Sequence, residues 1–234
     1  MSQAAPVLKS APPASTASSS QMIRVMGIVS LVCGLLIVTT HLGTLEPIRK
    51  NQEILTGEAV AELLPGVQKQ VTYYAQASGE LAVSNGSATA PAGSRLIAGY
   101  TASGQLLGVV IEARERGYAD MITGMYAYSP EQQAIVGFKV VELKETPGLG
   151  DKIVTDATFL ANFRKLEARL DDTGQKLLHA IVTVKNGTKK NPWEIDAISG
   201  ATISSRAVGR MLHKSAEQLL PVITKHRGRI EKGE

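Results

Sequence analysis

A cluster of small and hydroxyl-bearing residues at positions 199–205 has the composition of a phosphate-binding turn. The residues concerned are Ser199, Gly200, Ala201, Thr202, Ser204 and Ser205. Gly200 has no side chain, so the backbone can bend sharply there and let a bulky group approach. At a helix start, unpaired N–H groups and the positive dipole end favour a phosphate, and Thr202 places a hydroxyl beside it. The same composition is typical of an ordinary helix N-cap, for which Ser and Thr are the usual residues.

A second segment able to bend around a ligand has the sequence ETPGLG and occupies positions 145–150. Pro147 fixes its own φ, while Gly148 and Gly150 free the backbone on both sides of Leu149. Such a loop can offer N–H groups to the polar edge of a ligand while Leu149 packs on its face. On these residues alone, the alternative is a turn that closes a strand, because Pro-Gly is a common turn pair.

Outside these two segments, the sequence has no pattern typical of acid–base, metal or nucleophilic catalysis. It contains one cysteine, Cys33, four scattered histidines, no phosphate-binding P-loop and no G-x-S-x-G motif. The net charge of +4 is too small to indicate a nucleic-acid-binding surface. We therefore predict no catalytic side chain, no metal ligand and no nucleic-acid partner.

The two segments together resemble the FMN-binding domain of RnfG and NqrC, components of the Rnf electron-transport complex and of sodium-pumping NADH:quinone reductase. Ser-Gly-Ala-Thr followed by hydroxyl residues is similar to the FMN-attachment motif of that family. The ETPGLG loop is similar to a second motif, and its extension by DKI is more similar to RnfG. The resemblance covers roughly residues 95–215. Where the family has a glycine-rich segment, this chain has GYAD at positions 117–120.

The resemblance implies a covalently attached FMN whose phosphate forms an ester with Thr202. It implies further cofactor-binding residues in both segments: Ser199, Gly200, Ala201, Ser204, Ser205, Glu145, Thr146, Gly148, Leu149 and Gly150. An alcohol is a poor nucleophile at neutral pH, so a separate flavin transferase that uses FAD is also implied. Asp196 matches an acidic position of the attachment motif. Cations that a phosphate would attract are Lys185, Lys189, Lys190 and Arg206, and Lys144 and Lys152 flank the ETPGLG loop.

The function that the resemblance implies is that of a membrane-anchored electron-transfer subunit in an Rnf-type ion-translocating oxidoreductase that links NADH and ferredoxin. Its partners would be the other membrane and peripheral subunits of that complex. Two alternatives stay open. One is an NqrC-type subunit of the quinone reductase, and the other is a non-catalytic anchored binding module in which residues 199–205 only cap a helix.

A membrane anchor is predicted from the charge-free run at positions 25–40. This run is short for a hydrocarbon layer of ~30 Å, which needs about 20 residues. The Arg24 side chain can reach the interface and residues 42–45 are uncharged, so we predict that residues 22–45 span the membrane. No small-x-small cleavage site follows, which favours an uncleaved anchor over a signal peptide.

The charges predict the orientation of this anchor. All 21 acidic residues follow position 45, whereas Lys9 and Arg24 precede it. The positive-inside rule then places the N-terminus in the cytoplasm and the main domain in the periplasm, on a single-pass protein of the cell inner membrane. Residues 1–21 are rich in Ala, Pro and Ser and are predicted to form a disordered cytoplasmic tail.

The remaining pattern predicts the fold class α+β, with the single transmembrane helix followed by one extracytoplasmic FMN-binding domain. We expect a membrane-proximal helix and strands at 46–94, the FMN-binding domain at 95–220 and a basic, frayed C-terminal tail at 221–234. Predicted strands lie at 71–76, 95–101, 106–113, 121–128, 134–143 and 177–184. A helix face is predicted from Phe159, Phe163, Leu166 and Leu170, and a further helix over 206–220 is expected to end at Pro221.

Overall fold

The structure, a computed structural model, describes residues 18–84 and 93–233. The helices among these residues are α1 (Ser19–Leu63), α2 (Lys152–Thr155), α3 (Ala157–Ala161), α4 (Thr202–Lys225) and α5 (Arg227–Lys232), with a 3₁₀ turn at Asn162–Arg164. The strands are β1 (Lys69–Ala75), β2 (Leu81–Val83), β3 (Ser94–Tyr100), β4 (Leu106–Arg116), β5 (Met121–Ser129), β6 (Ala134–Glu142), β7 (Leu166–Glu167), β8 (Val182–Val184) and β9 (Glu194–Asp196). The predicted α+β class is confirmed.

The chain divides into an N-terminal unit, Met1–Gln52, and a folded unit, Glu53–Glu234. In the first unit, α1 begins at Ser19, and its side chains up to Ile48 are exposed. In the described part of the chain, α1 is the one helix long and apolar enough to cross a membrane. Residues 1–17, which make up most of the predicted tail, lie outside the described residues, as do residues 85–92 of the predicted membrane-proximal segment.

The folded unit is built on a seven-stranded antiparallel sheet with the strand order β2-β1-β3-β4-β5-β6-β7. Strands β3 to β6 lie close to their predicted bounds, because alternating and β-branched residues mark them in the sequence. Successive side chains in a strand point to opposite faces. In β4, Val109 and Ile111 therefore enter one hydrophobic cluster, and Val110 enters another on the opposite face.

Each face of the sheet is covered by a helix. The end of α1 buries Val60 and Leu63 in the smaller cluster, and Leu64, directly after the helix, is buried with them. On the other face, α4 contributes a buried apolar stripe to the larger cluster, in which Val208, Met211 and other side chains lie beside those of β4 and β5. A second sheet, in which β8 pairs parallel to β9, leads directly into the turn before α4.

Two helix predictions in this unit are wrong. Residues 159–170 form α3, the 3₁₀ turn and β7 instead of one helix, although Phe159, Phe163 and Leu166 are buried in the core as expected. Pro221 lies inside α4 and does not end it. A proline inside a helix costs ~3 kcal/mol or more. Here the helix continues because residues on both sides of the proline, including Leu220 and Ile223, are buried.

The predicted strand at 177–184 and the frayed tail also need correction. Only Val182–Val184 forms a strand, and Leu177 makes an isolated bridge with Leu170. The described C-terminal residues, up to position 233, are not frayed, because α5 packs Ile230 into the core with 1% of its surface exposed. The basic composition misled the prediction, because a short helix can bury one apolar residue and leave its basic side chains in solvent.

Candidate functional site

The turn before α4 and the ETPGLG loop meet at a cleft of about 330 Å³, a volume within the ~300–1,000 Å³ of small-molecule sites. The loop follows β6 and ends at Gly150, far before Thr202 in the sequence. The lining residues are Tyr118, Glu145, Thr146, Leu149, Gly150, Gly200, Ala201, Thr202, Ile203 and Ser204. The fold therefore joins the two segments that the sequence singles out.

The start of α4 is not capped by a side chain. The N-cap position is Ala201, and no side-chain cap hydrogen bond forms there. In the same chain, Asp156 does cap a helix, since its side chain accepts a hydrogen bond of 2.9 Å from the N–H of Phe159. The first N–H groups of any α-helix lack intrahelical partners, so this uncapped end leaves donors for an anion. Gly200, with φ +85°, provides the turn that precedes them.

The hydroxyl residues of the turn have different surroundings. The Ser205 hydroxyl is fully buried, donates to the Ala201 carbonyl at 2.9 Å and accepts from the Ile198 N–H at 3.1 Å. Ser199 is exposed and does not line the cleft. Thr202 is half-buried at the cleft, and its hydroxyl makes no hydrogen bond within the described residues. The Ser204 hydroxyl also lines the cleft but donates to Glu145, so Thr202 is the hydroxyl of this group that lines the cleft without a hydrogen-bond partner in the described part of the chain.

Glu145 is buried in the wall of the cleft, with 8% of its surface exposed. One carboxylate oxygen, Oε1, accepts hydrogen bonds from the backbone N–H groups of Tyr118 and Ala119 at 2.9 and 3.1 Å. The other, Oε2, accepts from the Ser204 hydroxyl at 2.8 Å. Both oxygens are thus used by protein groups, so this carboxylate is directed into the protein and not toward a ligand.

The ETPGLG loop contributes the Leu149 side chain to the cleft, and its backbone N–H groups at positions 149 and 150 are not free to bind a ligand. The N–H groups of Leu149 and Gly150 donate to the Thr146 carbonyl at 3.2 and 3.1 Å, so both donors are already used. The Leu149 side chain lines the cleft and is 49% exposed. Gly148 stands in a left-handed conformation with φ +77° and is not part of the lining. The loop therefore offers an apolar surface at this position.

Most of the predicted site residues are brought together, with three exceptions. Ser199, Ser205 and Gly148 lie outside the lining. Two lining residues, Tyr118 and Ile203, are absent from the predicted site and are large apolar side chains left 65% and 50% exposed. Ile203 stands inside the Ser-Gly-Ala-Thr-Ile segment as its one bulky residue. Tyr118 belongs to the GYAD segment, which stands where the family has a glycine-rich segment.

The predicted cations are arranged away from the cleft. The described side chains of Lys144, Lys152, Lys185, Lys189, Lys190 and Arg206 do not line it. The Lys189 ammonium donates to Asn162 Oδ1 at 3.0 Å, and burial lowers its pKa below the usual value. A hydrogen bond to Glu142, at 3.1 Å, raises the pKa of Lys144. Asp196 Oδ2 accepts from the Gly187 N–H at 2.9 Å, so this motif residue holds a turn beside β9.

A metal ion needs a particular arrangement of acidic, histidine or cysteine side chains. Within residues 18–84 and 93–233, no group of three or more His, Cys, Asp or Glu side chains is arranged to hold a metal ion. The cleft itself contains one titratable carboxylate, Glu145, which is engaged as described, and one phenol, Tyr118. What the cleft offers chemically is an apolar surface beside a helix N-terminus and one uncommitted hydroxyl.

A known protein family matches the part of the chain that forms the cleft. Residues 117–217 match the family model of the FMN-binding domain. This range begins in the loop between β4 and β5 and contains every residue that lines the cleft. Both segments identified in the sequence, the ETPGLG loop and the turn before α4, therefore lie inside the matched domain.

Two sequence relatives cover different shares of the chain. The G component of an ion-translocating oxidoreductase complex from Methanosarcina acetivorans is 29% identical over 198 residues, which are 85% of this chain and 93% of the relative. The G component of a proton-translocating ferredoxin:NAD(+) oxidoreductase complex from Clostridium ljungdahlii is 32% identical over 110 residues, 47% of this chain and 52% of the relative. The chain thus matches about half the length of the second relative.

A solved structure shares the fold. The C component of the Na(+)-translocating NADH-quinone reductase from Parabacteroides distasonis superposes with a TM-score of 0.59 at 19% identity, covering 77% of this chain and 97% of that one. This likeness concerns the fold alone. In sequence, residues 117–217 form an FMN-binding domain, and the chain is similar to the G components of ion-translocating oxidoreductase complexes.

Proposed function

We propose that this protein is a membrane-anchored electron-transfer subunit that holds FMN in an ester linkage between the FMN phosphate and the Thr202 hydroxyl. The observation that carries the proposal is the cleft itself. It places an uncommitted threonine hydroxyl at an uncapped helix start, opposite the ETPGLG loop. Among residues 199–205, Ser204 and Ser205 have hydrogen-bonded hydroxyls and Ser199 lies outside the cleft, so Thr202 is the one whose hydroxyl lines the cleft without a partner among the described residues.

The residues of the cleft fit FMN at both ends of that molecule. The uncapped start of α4 offers backbone N–H groups and a positive dipole end, which suit a phosphate. Leu149, Ile203 and Tyr118 offer exposed apolar surface of the kind that packs against a planar ring. When bound, FMN supplies the capacity to accept and release electrons, which no side chain of this cleft provides.

The role of the protein is to hold the cofactor and keep it accessible. Thr202 would retain it through a covalent bond, so the cofactor is not lost by dilution outside the cytoplasm. The exposed positions of Leu149, Ile203 and Tyr118 leave the cleft open to a neighbouring redox protein. An open cleft with exposed apolar side chains at its edge suits electron transfer to a neighbouring subunit better than turnover of a free substrate.

Formation of the ester requires a second protein. The Thr202 oxygen forms a bond to the phosphorus of the FMN half of FAD, the pyrophosphate P–O bond breaks, and AMP leaves. The hydroxyl proton must be taken up by a base. No His, Asp, Lys or Cys side chain lines the described cleft, and the Glu145 carboxylate is already engaged with Ser204. A flavin transferase therefore supplies the base.

The sequence relatives favour membership of the RnfG type over the NqrC type. Both relatives described above are G components of ion-translocating complexes, and one is named for ferredoxin:NAD(+) oxidoreductase activity. The solved structure from the quinone reductase shares the fold only. We therefore assign the chain to an Rnf-type complex with other membrane and peripheral subunits, anchored in the inner membrane through α1.

The experiment is an intact-mass measurement on the protein purified from its native host and then denatured and washed. We expect a mass increase equal to one FMN phosphoester, and yellow fluorescence that stays with the polypeptide in a denaturing gel. Peptide mapping should place the added mass on Thr202. A polypeptide of unmodified mass, with no flavin released on denaturation, would instead favour the non-catalytic anchored module.

A further inference from the structure

The GYAD loop, the ETPGLG loop and the first turn of α4 meet at a single buried side chain, that of Glu145. Its Oε1 accepts from the Tyr118 and Ala119 N–H groups, and its Oε2 accepts from the Ser204 hydroxyl. These three partners lie 27, 26 and 59 positions away in the chain. Each of the three segments also supplies lining to the cleft.

Two glycines make room for this carboxylate. A Cβ on Gly117 would collide with Glu145 Oε1, and a Cβ on Gly150 would collide with Oε2. The Gly150 Cβ would also stand 2.8 Å from the Ser204 hydroxyl. Real Cβ contacts of this kind are essentially never shorter than 3.0 Å. The two carboxylate oxygens of Glu145 therefore occupy the space that a Cβ at either position would need. Residues without a Cβ, Gly117 and Gly150, leave that space free.

We infer that Glu145 is a positioning residue, which fixes the distance between the ETPGLG loop and the Thr202 turn and so sets the shape of the flavin site. The inference rests on the proposed function. Ser204 is two residues from Thr202 in the same helical turn, so a hydrogen bond that holds Ser204 also holds the attachment end of the site. Tyr118 lines the opposite wall, and its backbone is held by the same carboxylate.

What Glu145 contributes is its length and its hydrogen-bonding pattern, and not its negative charge. A glutamine at this position keeps both. Its amide oxygen can accept from the Tyr118 and Ala119 N–H groups, and its NH₂ group can donate to the Ser204 hydroxyl. An aspartate keeps the charge but is one methylene shorter, so it cannot reach both sets of partners. The pair Glu145→Gln and Glu145→Asp therefore separates geometry from charge.

The first measurement does not need the flavin. Hydrogen exchange of the full-length chain in detergent, read at single amides by mass spectrometry, reports the Tyr118 and Ala119 N–H groups directly. Loss of a hydrogen bond to a charged acceptor should speed exchange at these two amides by roughly tenfold or more. We expect that increase in Glu145→Ala and Glu145→Asp, and near wild-type exchange in Glu145→Gln.

The second measurement uses the flavin-loaded protein, whose visible absorption and circular dichroism report the surroundings of the ring. We expect Glu145→Ala and Glu145→Asp to shift both spectra, and Glu145→Gln to restore them. Glu142→Gln is the matched control, because it also removes one negative charge, at a position three residues before Glu145. The Glu142 side chain is exposed and pairs with Lys144. This variant should leave the spectra and the amide exchange unchanged.

Two further variants keep the inference testable if Glu145→Ala does not fold. Ser204→Ala removes the hydrogen bond to Glu145 Oε2, and Gly150→Ala places a Cβ too close to the same oxygen. Both should shift the flavin spectra in the same direction as Glu145→Asp.

The inference is overturned if Asp restores the spectra and Gln does not, since charge would then be the determinant. It is also overturned if all variants match the wild type. A wild-type protein without any flavin would instead count against the proposed function and leave the amide-exchange result to stand alone.

Discussion

The hydroxyl groups of Thr202 and Ser205 lie within one turn of α4 but have opposite surroundings. Ser205 is fully buried and makes hydrogen bonds with Ala201 and Ile198, whereas Thr202 lines the cleft with its hydroxyl uncommitted in the described structure. A modifying enzyme can reach a hydroxyl that lines an open cleft but not one that is fully buried beneath the helix start. This contrast favours Thr202 over Ser205 as the proposed point of attachment.

The first prediction follows from this contrast. Thr202→Ala should fold and insert into the membrane but carry no covalent flavin, because the nucleophilic oxygen is gone. Thr202→Ser should retain part of it, since the hydroxyl survives. In-gel fluorescence combined with peptide mass mapping measures both.

The serines near Thr202 provide the controls for that experiment. Ser199→Ala should keep full attachment, because Ser199 is exposed outside the cleft. Ser205→Ala should lower stability by about 1–3 kcal/mol through the lost buried hydrogen bonds, and any flavin it carries should still map to Thr202. Flavin mapped to a serine, or retained on Thr202→Ala, would falsify the assignment.

A second prediction concerns Gly148 in the ETPGLG loop. Its φ of +77° is a conformation that a β-branched residue adopts only at a cost of about 1–3 kcal/mol, although open space surrounds the position. Gly148→Val should therefore shift the loop and, with it, Leu149, so we expect an altered flavin absorption spectrum with the flavin still attached.

Gly174 is the matched control for Gly148. It also has a positive φ, +66°, and open space, and it stands in a turn formed around Asp171 that does not line the cleft. Gly174→Val should cost similar stability and leave the flavin spectrum as in the wild type. If Gly148→Val also leaves the spectrum and the reduction potential unchanged, the loop does not contact the flavin.

The third prediction tests the C-terminal segment. The Tyr100 hydroxyl donates to the Ile230 carbonyl, and the Ile230 side chain is buried. Ile230→Ala should lower the free energy of unfolding by about 2–5 kcal/mol, as for other buried isoleucines. Thermal unfolding of the full-length chain in detergent measures this. Ile54→Ala, which changes an exposed helical isoleucine, should shift the midpoint little.

The sequence predicts the parts of this fold whose signals are local. Strands β3 to β6 have alternating and β-branched residues, and the segments at 145–150 and 199–205 have glycine and proline patterns that mark bends. The misassigned helix at 159–170 arose because its apolar spacing suits a helix. The same residues are buried by a short helix, a 3₁₀ turn and a strand. Periodicity reports which side chains are buried but not the backbone that buries them.

The remaining features of the site depend on contacts between distant segments. Nothing near Glu145 in the sequence indicates that its carboxylate is directed at Ser204, 59 positions away. Tyr118 likewise enters the cleft because β4 and β5 pair and bring their connecting loop to it. Pro221 is a local signal that tertiary packing overrides, since burial of its neighbours keeps α4 continuous.

The last prediction is the orientation of the chain in the membrane. All 21 acidic residues follow position 45, and Lys9 and Arg24 precede it, so the N-terminus should remain in the cytoplasm. Cys33 is the single cysteine, so a Cys33→Ser background allows one new thiol to be placed at a time. A membrane-impermeant maleimide added to spheroplasts should label Gln175→Cys, an exposed position of the folded unit. It should label Ser10→Cys only after lysis, and the reverse pattern would invert the proposed topology.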